Sequence, residues 1–470
     1  MATQRMEAWR PPRWRELFRG PRGRLTMGLL LLEALVGFEA LIVTTILPAV
    51  QRDLGGIQYY GWAFAATSLA TFATIPLAGR ATDRYGPRRP LGLALAVFLV
   101  GIVGAALTPS MPILVVARFV QGCGGGALYA VSLGAVAKAY PADLRPRVLA
   151  LLASMWILPG LVGPPLGALI ASTIGWRWAF VAPFPFIALS AVLILPAVAA
   201  VTAVTAEQAT EVRLPIRWPV QLMVGAALFL AGATEPSWWS LLLVPAGLLM
   251  GLPALARVTP PGTFLARRGL PAAALAMFLL SVAFGAAEGF IPLMLIKVRG
   301  LSLGEAGIVV TLVTVCWSLG SWWQSREMGR LGPVRLVILG VVMVVVGIIG
   351  GGVALFYGPI AVPYAAWSIA GIGMGVAFPT IPLAVMSATT AGSEASELSS
   401  TLLMDNLGIA VGAGLGGASI AIAHNAIATN MKASLQAGLA GAFLLGLVAA
   451  LILIPVARRL PADGSVDSAA

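Results

Sequence analysis

Long apolar stretches alternate with short polar breaks along almost the whole chain. Each stretch holds about twenty residues, the length a helix needs to cross a hydrocarbon core. The pattern predicts helices over 25–50, 59–82, 90–108, 112–138, 146–171 and 177–200. A shorter pair follows over 218–235 and 238–257, then six more over 270–297, 304–326, 334–356, 361–389, 397–424 and 433–457. The expected fold is an all-α membrane protein: two six-helix bundles with two inserted helices between them, fourteen transmembrane helices in total. A transmembrane β-barrel would show short alternating segments instead.

The polar breaks set the expected divisions. An arm, 1–24, leads into a first bundle, 25–200; a linker with the inserted pair, 201–269, precedes a second bundle, 270–457, and a tail, 458–470. The stretch 201–217 carries Glu207, Glu211, Arg213 and Arg217, and the turn Glu235-Pro-Ser-Trp-Trp joins the inserted pair. Two six-helix units match the internal-repeat plan of secondary transporters, whose binding sites lie at the interface near the bilayer midplane.

Composition sharpens this reading. Of 470 residues, 59% are hydrophobic and only 10% charged, against about 25% charged in a soluble domain. The net charge of +12 does not argue for nucleic acid, because the basic residues sit in short loops and not on one face of a soluble domain. Twenty-four of the 30 Lys and Arg fall on one side of the expected topology; Arg52, Arg177, Lys297, Arg299 and Lys432 fall on the other, and Arg118 lies within a span. Basic loops stay inside, so both termini are expected in the cytoplasm. The seven arginines of the arm lead straight into a full-length span, which argues against a cleavable signal peptide. Cys123 and Cys316 fall inside apolar spans as unpaired packing residues. No phosphate-binding G-x-x-x-x-G-K-S/T motif and no catalytic constellation is present, so neither an ATP-driven pump nor an enzyme is expected, and neither a cofactor nor a metal.

The loop between the second and third spans reads Gly79-Arg-Ala-Thr-Asp-Arg-Tyr-Gly-Pro-Arg-Arg89. It closely resembles the signature loop of the major facilitator superfamily, G-x-x-x-D-R-x-G-R-R/K. Gly79, Asp83, Arg84, Gly86, Arg88 and Arg89 fit, and Pro87 replaces a basic residue. A weaker copy, Arg326-Glu-Met-Gly-Arg-Leu-Gly-Pro-Val-Arg335, occupies the corresponding place in the second half. The resemblance implies that Asp83 and the loop arginines latch the two halves on the cytoplasmic face.

Three further stretches extend the resemblance. Arg118-Phe-Val-Gln-Gly-Cys-Gly-Gly-Gly126 is similar to R-x-x-Q-G-x-G-x-G, in which the arginine is linked to proton transfer. Physically, an arginine within a span needs carbonyl, carboxylate or water partners. Pro159-Gly160-Leu-Val-Gly163-Pro164-Pro-Leu-Gly167 resembles the G-x-x-x-G-P-x-x-G signature of antiporter members. Its glycines make a thin helix face, and Pro164 removes a backbone bond. Phe38-Glu-Ala-Leu-Ile-Val-Thr-Thr-Ile-Leu-Pro48 looks like L-D-x-T-I-V-N-V-A-L-P of the fourteen-span drug:proton antiporters, with Glu39 at the aspartate and Leu41 and Thr44 at the threonine and asparagine.

Glu33, Glu39, Glu288 and Asp405 are carboxylates at membrane depth, where desolvation favours the neutral form, so each is a candidate proton carrier. Glu39 and Glu288 lie on the first helix of each half; Asp405 lies on the eleventh core helix beside Asn406. Glu33, six residues before Glu39, faces about 120° away and is the weakest of the four. Thr44, Trp156, Trp317, Met404 and Asn406 are candidates to line a substrate cavity, and His424 reads as a boundary residue.

The expected function is proton-coupled export of hydrophobic or cationic amphiphilic compounds by alternating access, with Glu39, Asp405, Glu288 and Arg118 in the coupling. The partners are a small hydrophobic or lipidic substrate, protons and membrane lipids, with no nucleic acid; a monomer is expected. A lipid or lipid-precursor flippase is the alternative, since the core spans have very low polarity. The resemblance implies a bacterial inner membrane.

Overall fold

The computed structural model describes residues 17–140, 144–199, 215–234, 238–388, 394–427 and 430–461. Its helices are α1 Gly20–Leu54, α2 Trp62–Tyr85, α3 Arg88–Ala106, α4 Met111–Ala139, α5 Arg145–Ser154, α6 Ile157–Ile170, α7 Trp176–Val181, α8 Phe184–Ala199, α9 Arg217–Thr234 and α10 Ser240–Val258. There follow α11 Leu270–Gly285, α12 Ile291–Lys297, α13 Leu303–Ala354, α14 Ala361–Ala388, α15 Glu394–Ala426 and α16 Met431–Ala457. Eleven helices among the described residues are long and apolar enough to cross a membrane, against the fourteen expected. The difference has three sources. One stretch of 42 residues, Ile157–Val198, and one of 52, Leu303–Ala354, each run through two consecutive expected spans, and α9 is not among the eleven.

Both long stretches fold back on themselves. On α13, Gly320 abuts Ile372 of α14 while Gly340 abuts Gly373, one residue further along. Twenty residues of straight helix would separate those glycines by about 30 Å, so the chain reverses between them. The reversal is at Gly332, φ 71° and ψ 166°, a backbone region open essentially only to glycine. Gly86, which ends α2, has φ 74° and ψ 166°. Both glycines precede a proline, Pro87 and Pro333. The two basic loops thus share one backbone turn, as the weaker second copy of the motif foreshadowed. In the other long stretch a π-helical turn, Ala171–Gly175, with Gly175 at φ 101°, separates α6 from α7. Along α1, Gly37 and Gly167's neighbour Ile42 meet α6 in ascending order, while Gly28 meets Ile194 and Phe38 stacks on Phe186 in descending order, so α6 and α8 run antiparallel.

Three expected spans are broken. The span at 146–171 divides into α5 and α6 at Met155 and Trp156, the span at 177–200 divides into α7 and α8 at Ala182 and Pro183, and the span at 270–297 divides at a 3₁₀ turn, Glu288–Phe290. Helices α1 to α8 pack mainly on one another, as do α11 to α16; α9 and α10 form a hairpin. We call the end that carries the start of α1 and the close of α16 the proximal end, and the opposite end distal.

The two groups meet along two seams, α2 with α15 and α6 with α13. A Cβ on Gly61 would lie 2.4 Å from Ala413 O and 2.6 Å from Gly417 Cα. On the other seam, Gly307 faces Thr45 and the Pro164 carbonyl, and Gly160 faces Thr314. These contacts lie toward the distal end. The hairpin covers the first seam: Leu222, Ala226 and Leu230 of α9 share a buried cluster with Leu69 and Phe72 of α2 and Leu403 and Leu407 of α15. Trp62 Nε1 also donates to Thr234 Oγ1 at 3.1 Å. Within the hairpin, Gly225 backs onto Gly247 and Gly251, the close approach that small residues allow between membrane helices.

Candidate functional site: a buried ion pair and an interfacial carboxylate

Arg118 and Glu39 form a buried ion pair, Arg118 Nη1 donating to Glu39 Oε1, with the residues 4% and 6% exposed. The same Nη1 donates to Gln121 Oε1 at 2.6 Å, and Nε donates to the Ala63 carbonyl at 3.2 Å. Arginine in so dry a setting is tolerated because carboxylate, amide and carbonyl all accept from it. Gln121 Nε2, also buried, has no hydrogen-bond partner. The glycines after Arg118 explain how α4 carries this group so deep. Gly122 and Gly126 lie against the Thr67 and Thr71 backbone of α2, and Gly124 lies against the Phe98 backbone of α3, each closer than a Cβ would permit.

Glu288 sits at the break between α11 and α12, on a cavity of about 50 Å³, room for a few waters. The lining comes from both groups of helices: Thr44 and Phe64 on one side, Gly285, Gly289, Ile409 and Ala413 on the other. Tyr60, fully buried, donates across the same junction to the Gly289 carbonyl at 3.1 Å. Thr44 spends its hydroxyl on the Ala40 carbonyl of its own helix, at 2.9 Å.

Asp405 accepts from Ser281 Oγ at 2.6 Å, which ties α15 to α11. Asn406 Nδ2 donates to the Leu402 carbonyl at 3.1 Å. The glycine run that follows lets three neighbours approach α15. Gly408 and Gly412 lie against α11, Gly414 against Leu230 of α9, and Gly417 against Gly61.

The remaining candidates divide. Trp156 Nε1 donates to Glu33 Oε1 at 2.8 Å, so the carboxylate expected to face away from Glu39 does so, toward α6. Trp317 packs edge-on to Phe284 and Phe378. Met404 is 2% exposed and packs in the cluster beneath the hairpin, a packing position where a cavity-lining one was expected. Gly163 and Gly167 present a thin face to α1, and Gly160 presents one to α13. In the basic loop, Gly79 has open space around its Cα, the Arg84 guanidinium lies 5.2 Å from the Tyr85 ring centroid, and Arg88 and Arg89 are exposed. The Asp83 side chain lies outside the described residues, as does Glu235. Gln121, Ser281 and Tyr129 were not singled out by the sequence. Tyr129 of α4 lies within electrostatic reach of both Glu33 and Asp405. The Q of the Arg118 stretch was a signal for Gln121; nothing marked Ser281.

Taken together, the fold and the buried charges define a polytopic transporter, and comparison with known proteins agrees. Residues 29–413 match the model of the Major Facilitator Superfamily, and the chain belongs to that family. It is 28% identical over 409 residues to a probable multidrug-efflux transporter of Mycobacterium tuberculosis, covering 82% of this chain and 84% of that one. An uncharacterized MFS-type transporter of Schizosaccharomyces pombe is 24% identical over 406 residues, covering 83% and 69%. Among solved structures, an auto-inhibited POT family peptide transporter superposes with a TM-score of 0.68 at 16% identity, over 93% of this chain and 97% of that one. A D-xylose-proton symporter gives 0.65 at 16% identity, over 92% and 96%. Those two likenesses bear on the fold alone. The chain is a multi-pass membrane transporter and not an enzyme.

Proposed function

We propose that the chain is a proton-coupled antiporter that exports hydrophobic or cationic amphiphilic compounds by alternating access. The observation that carries the reading is the buried Glu39–Arg118 pair shared with Gln121. A proton arriving on Glu39 removes the charge that holds Arg118, while Gln121 and the Ala63 carbonyl still receive the guanidinium. The protein therefore has two states that differ by one proton: in both the guanidinium keeps hydrogen-bond acceptors, and only in the deprotonated one does it keep its counter-charge. A cationic substrate competes for the same carboxylate, and this unequal affinity is what couples two flows to one conformational equilibrium. Glu288 and Asp405 assist: the first lies where the two halves meet, the second on the helix that faces them. The names of the efflux relatives support the export direction.

The same reading takes fourteen passes, since each doubled stretch reverses and α9 pairs with α10. It assigns the proximal end, with its basic loops, to the cytoplasm of a bacterial cell, and divides the chain into bundles 25–200 and 270–457. Asp83 and the loop arginines latch that face when the distal end opens.

The test is proton-gradient-driven efflux of ethidium from proteoliposomes, wild type beside Glu39→Gln. Transport by the wild type, with weakened ethidium binding and no coupled transport by the variant, is the expected result. Equal proton-driven transport by both would remove Glu39 from the coupling.

A further inference from the structure

The link between α10 and α11, Thr259 to Gly269, is short, basic and tightly folded. A 3₁₀ turn, Thr263–Leu265, lies between two left-handed residues, Gly262 at φ 92° and Ala266 at φ 47°. Ala266 is the one non-glycine residue with positive φ among those described, a backbone that alanine adopts only where its surroundings enforce it. Arg459, two residues past the end of α16, does the enforcing. Its Nη1 donates to the Leu265 and Ala266 carbonyls at 3.0 and 3.1 Å, and its own carbonyl accepts from the Gly269 N–H at 2.9 Å. Within the link, the Leu265 and Arg267 amides donate to the Gly262 carbonyl at 3.1 and 3.2 Å. The tie to the close of α16 places the link at the proximal end.

This turn buries Thr263 and Ala266 and presents the two side chains between them: Phe264 is 54% exposed and Leu265 69%. Arg267 and Arg268 follow directly and are exposed, as is Arg458 beside the clamp. The chain holds no carboxylate between Glu235 and Glu288 to neutralise them locally. Nearby, at the base of the hairpin, Trp218 carries the Arg217 and Arg257 guanidinium groups 4.6 and 5.4 Å from its ring centroid, an aromatic with cations at the depth of the headgroups. A loop that only reverses the chain needs neither a left-handed alanine nor an arginine clamp. Apolar side chains held rigidly outward beside exposed arginines match a molecule with an anionic head and an apolar tail.

We propose that the α10–α11 link is a binding site for one anionic phospholipid of the proximal leaflet. Arg267 and Arg268 take its phosphodiester, since paired guanidinium groups donate to phosphate through several charge-assisted hydrogen bonds. Phe264 and Leu265 lie against its acyl chains, and Arg459 holds the turn in shape from behind.

The test is native mass spectrometry of the full chain in detergent, titrated with phosphatidylglycerol or with phosphatidylcholine of the same chains. The first phosphatidylglycerol should bind about tenfold more tightly than phosphatidylcholine, the scale of one charged contact. Arg267→Gln with Arg268→Gln should abolish that preference and leave phosphatidylcholine binding unchanged. Removing the same charge elsewhere on the proximal end, with Arg19→Gln and Arg24→Gln, should leave the preference intact. Phe264→Ser with Leu265→Ser should weaken phosphatidylglycerol several-fold. Should the glutamine pair fail to fold, Arg267→Lys with Arg268→Lys keeps the charge and loses the forked donors; it should bind several-fold more weakly, and wild-type affinity there would refute the arginine contact. Equal losses from the two glutamine pairs would reduce the site to general surface charge and overturn it. Displacement of the lipid by inorganic phosphate, with no effect of the serine pair, would make it a site for a free anion and overturn the lipid.

Discussion

Removing the Glu39 charge alone should cost more than removing both members of the pair. In Glu39→Gln the Arg118 guanidinium keeps Gln121 Oε1 and the Ala63 carbonyl as acceptors but loses its counter-charge, in a site where the arginine is 4% exposed. Breaking one side of a buried pair costs about 3–5 kcal/mol because the remaining charge is left uncompensated. Replacing both with neutral groups of similar size removes that penalty, and Glu39→Gln with Arg118→Met should recover most of the loss. The assay is a double-mutant cycle on reversible unfolding in mixed micelles, with binding of a lipophilic cation measured on the same samples. Both single variants should unfold at lower denaturant than the double variant, so that the coupling exceeds the loss of either single variant. Additive losses would refute the reasoning, since they would mean that Glu39 and Arg118 are stabilised independently.

Other outcomes follow from neighbouring geometry. Gly61→Val places side-chain atoms where Ala413 O and the Gly417 backbone lie, and should hold the distal end of the α2–α15 seam apart. Faster labelling of a distal cysteine by an impermeant reagent from that side would show it; an unchanged rate would sink the idea. Gly86→Ala and Gly332→Ala force a side chain into the turn near φ 70° and ψ 166° that both glycines adopt. Each should lower unfolding stability by about 1–3 kcal/mol, and a cost at only one of them would break the equivalence of the two loops. Ser281→Ala removes the 2.6 Å hydrogen bond to Asp405 and should cost about 1–3 kcal/mol, with Asp405→Asn in the same background costing little more.

The apolar runs announced the helices and their order because a lipid-facing helix admits few substitutes for Leu, Val and Ile. What they could not announce was where a span breaks. The run through Trp156 is uninterrupted by charge, and the break between α5 and α6 falls at Met155, four residues before Pro159, which has no N–H to bond the Met155 carbonyl. The run through Glu288 reads as one span by hydropathy, and only Pro292, four residues on and unable to bond the Glu288 carbonyl, marks the 3₁₀ turn that brings Glu288 to the junction of the halves. Arg118 was legible as a buried cation, since nothing else explains a lone arginine in a span, and Glu39 was legible by its place in the first helix. Their pairing was not, because it depends on how Gly122, Gly124 and Gly126 let α4 settle between α2 and α3. Met404, a candidate for the cavity, packs beneath the hairpin, while its neighbour Asp405 turns to Ser281 of α11; the sequence did not announce the inserted pair as a cover over that face of α15.

The glycine contacts on the α2–α15 seam have a mechanical consequence. Where Gly61 meets Ala413 O and Gly417, backbone rests on backbone with no knob seated in a hole. Parting such surfaces unlocks no rotamers, and closing them again freezes none, so the entropic toll that side chains levy on each repacking is absent there. That stretch of the α2–α15 seam behaves as a dry bearing: flat, hard and without teeth. A rocking protein built this way loses little energy to its own hinge in each cycle, and a side chain added at any of those glycines would act as grit.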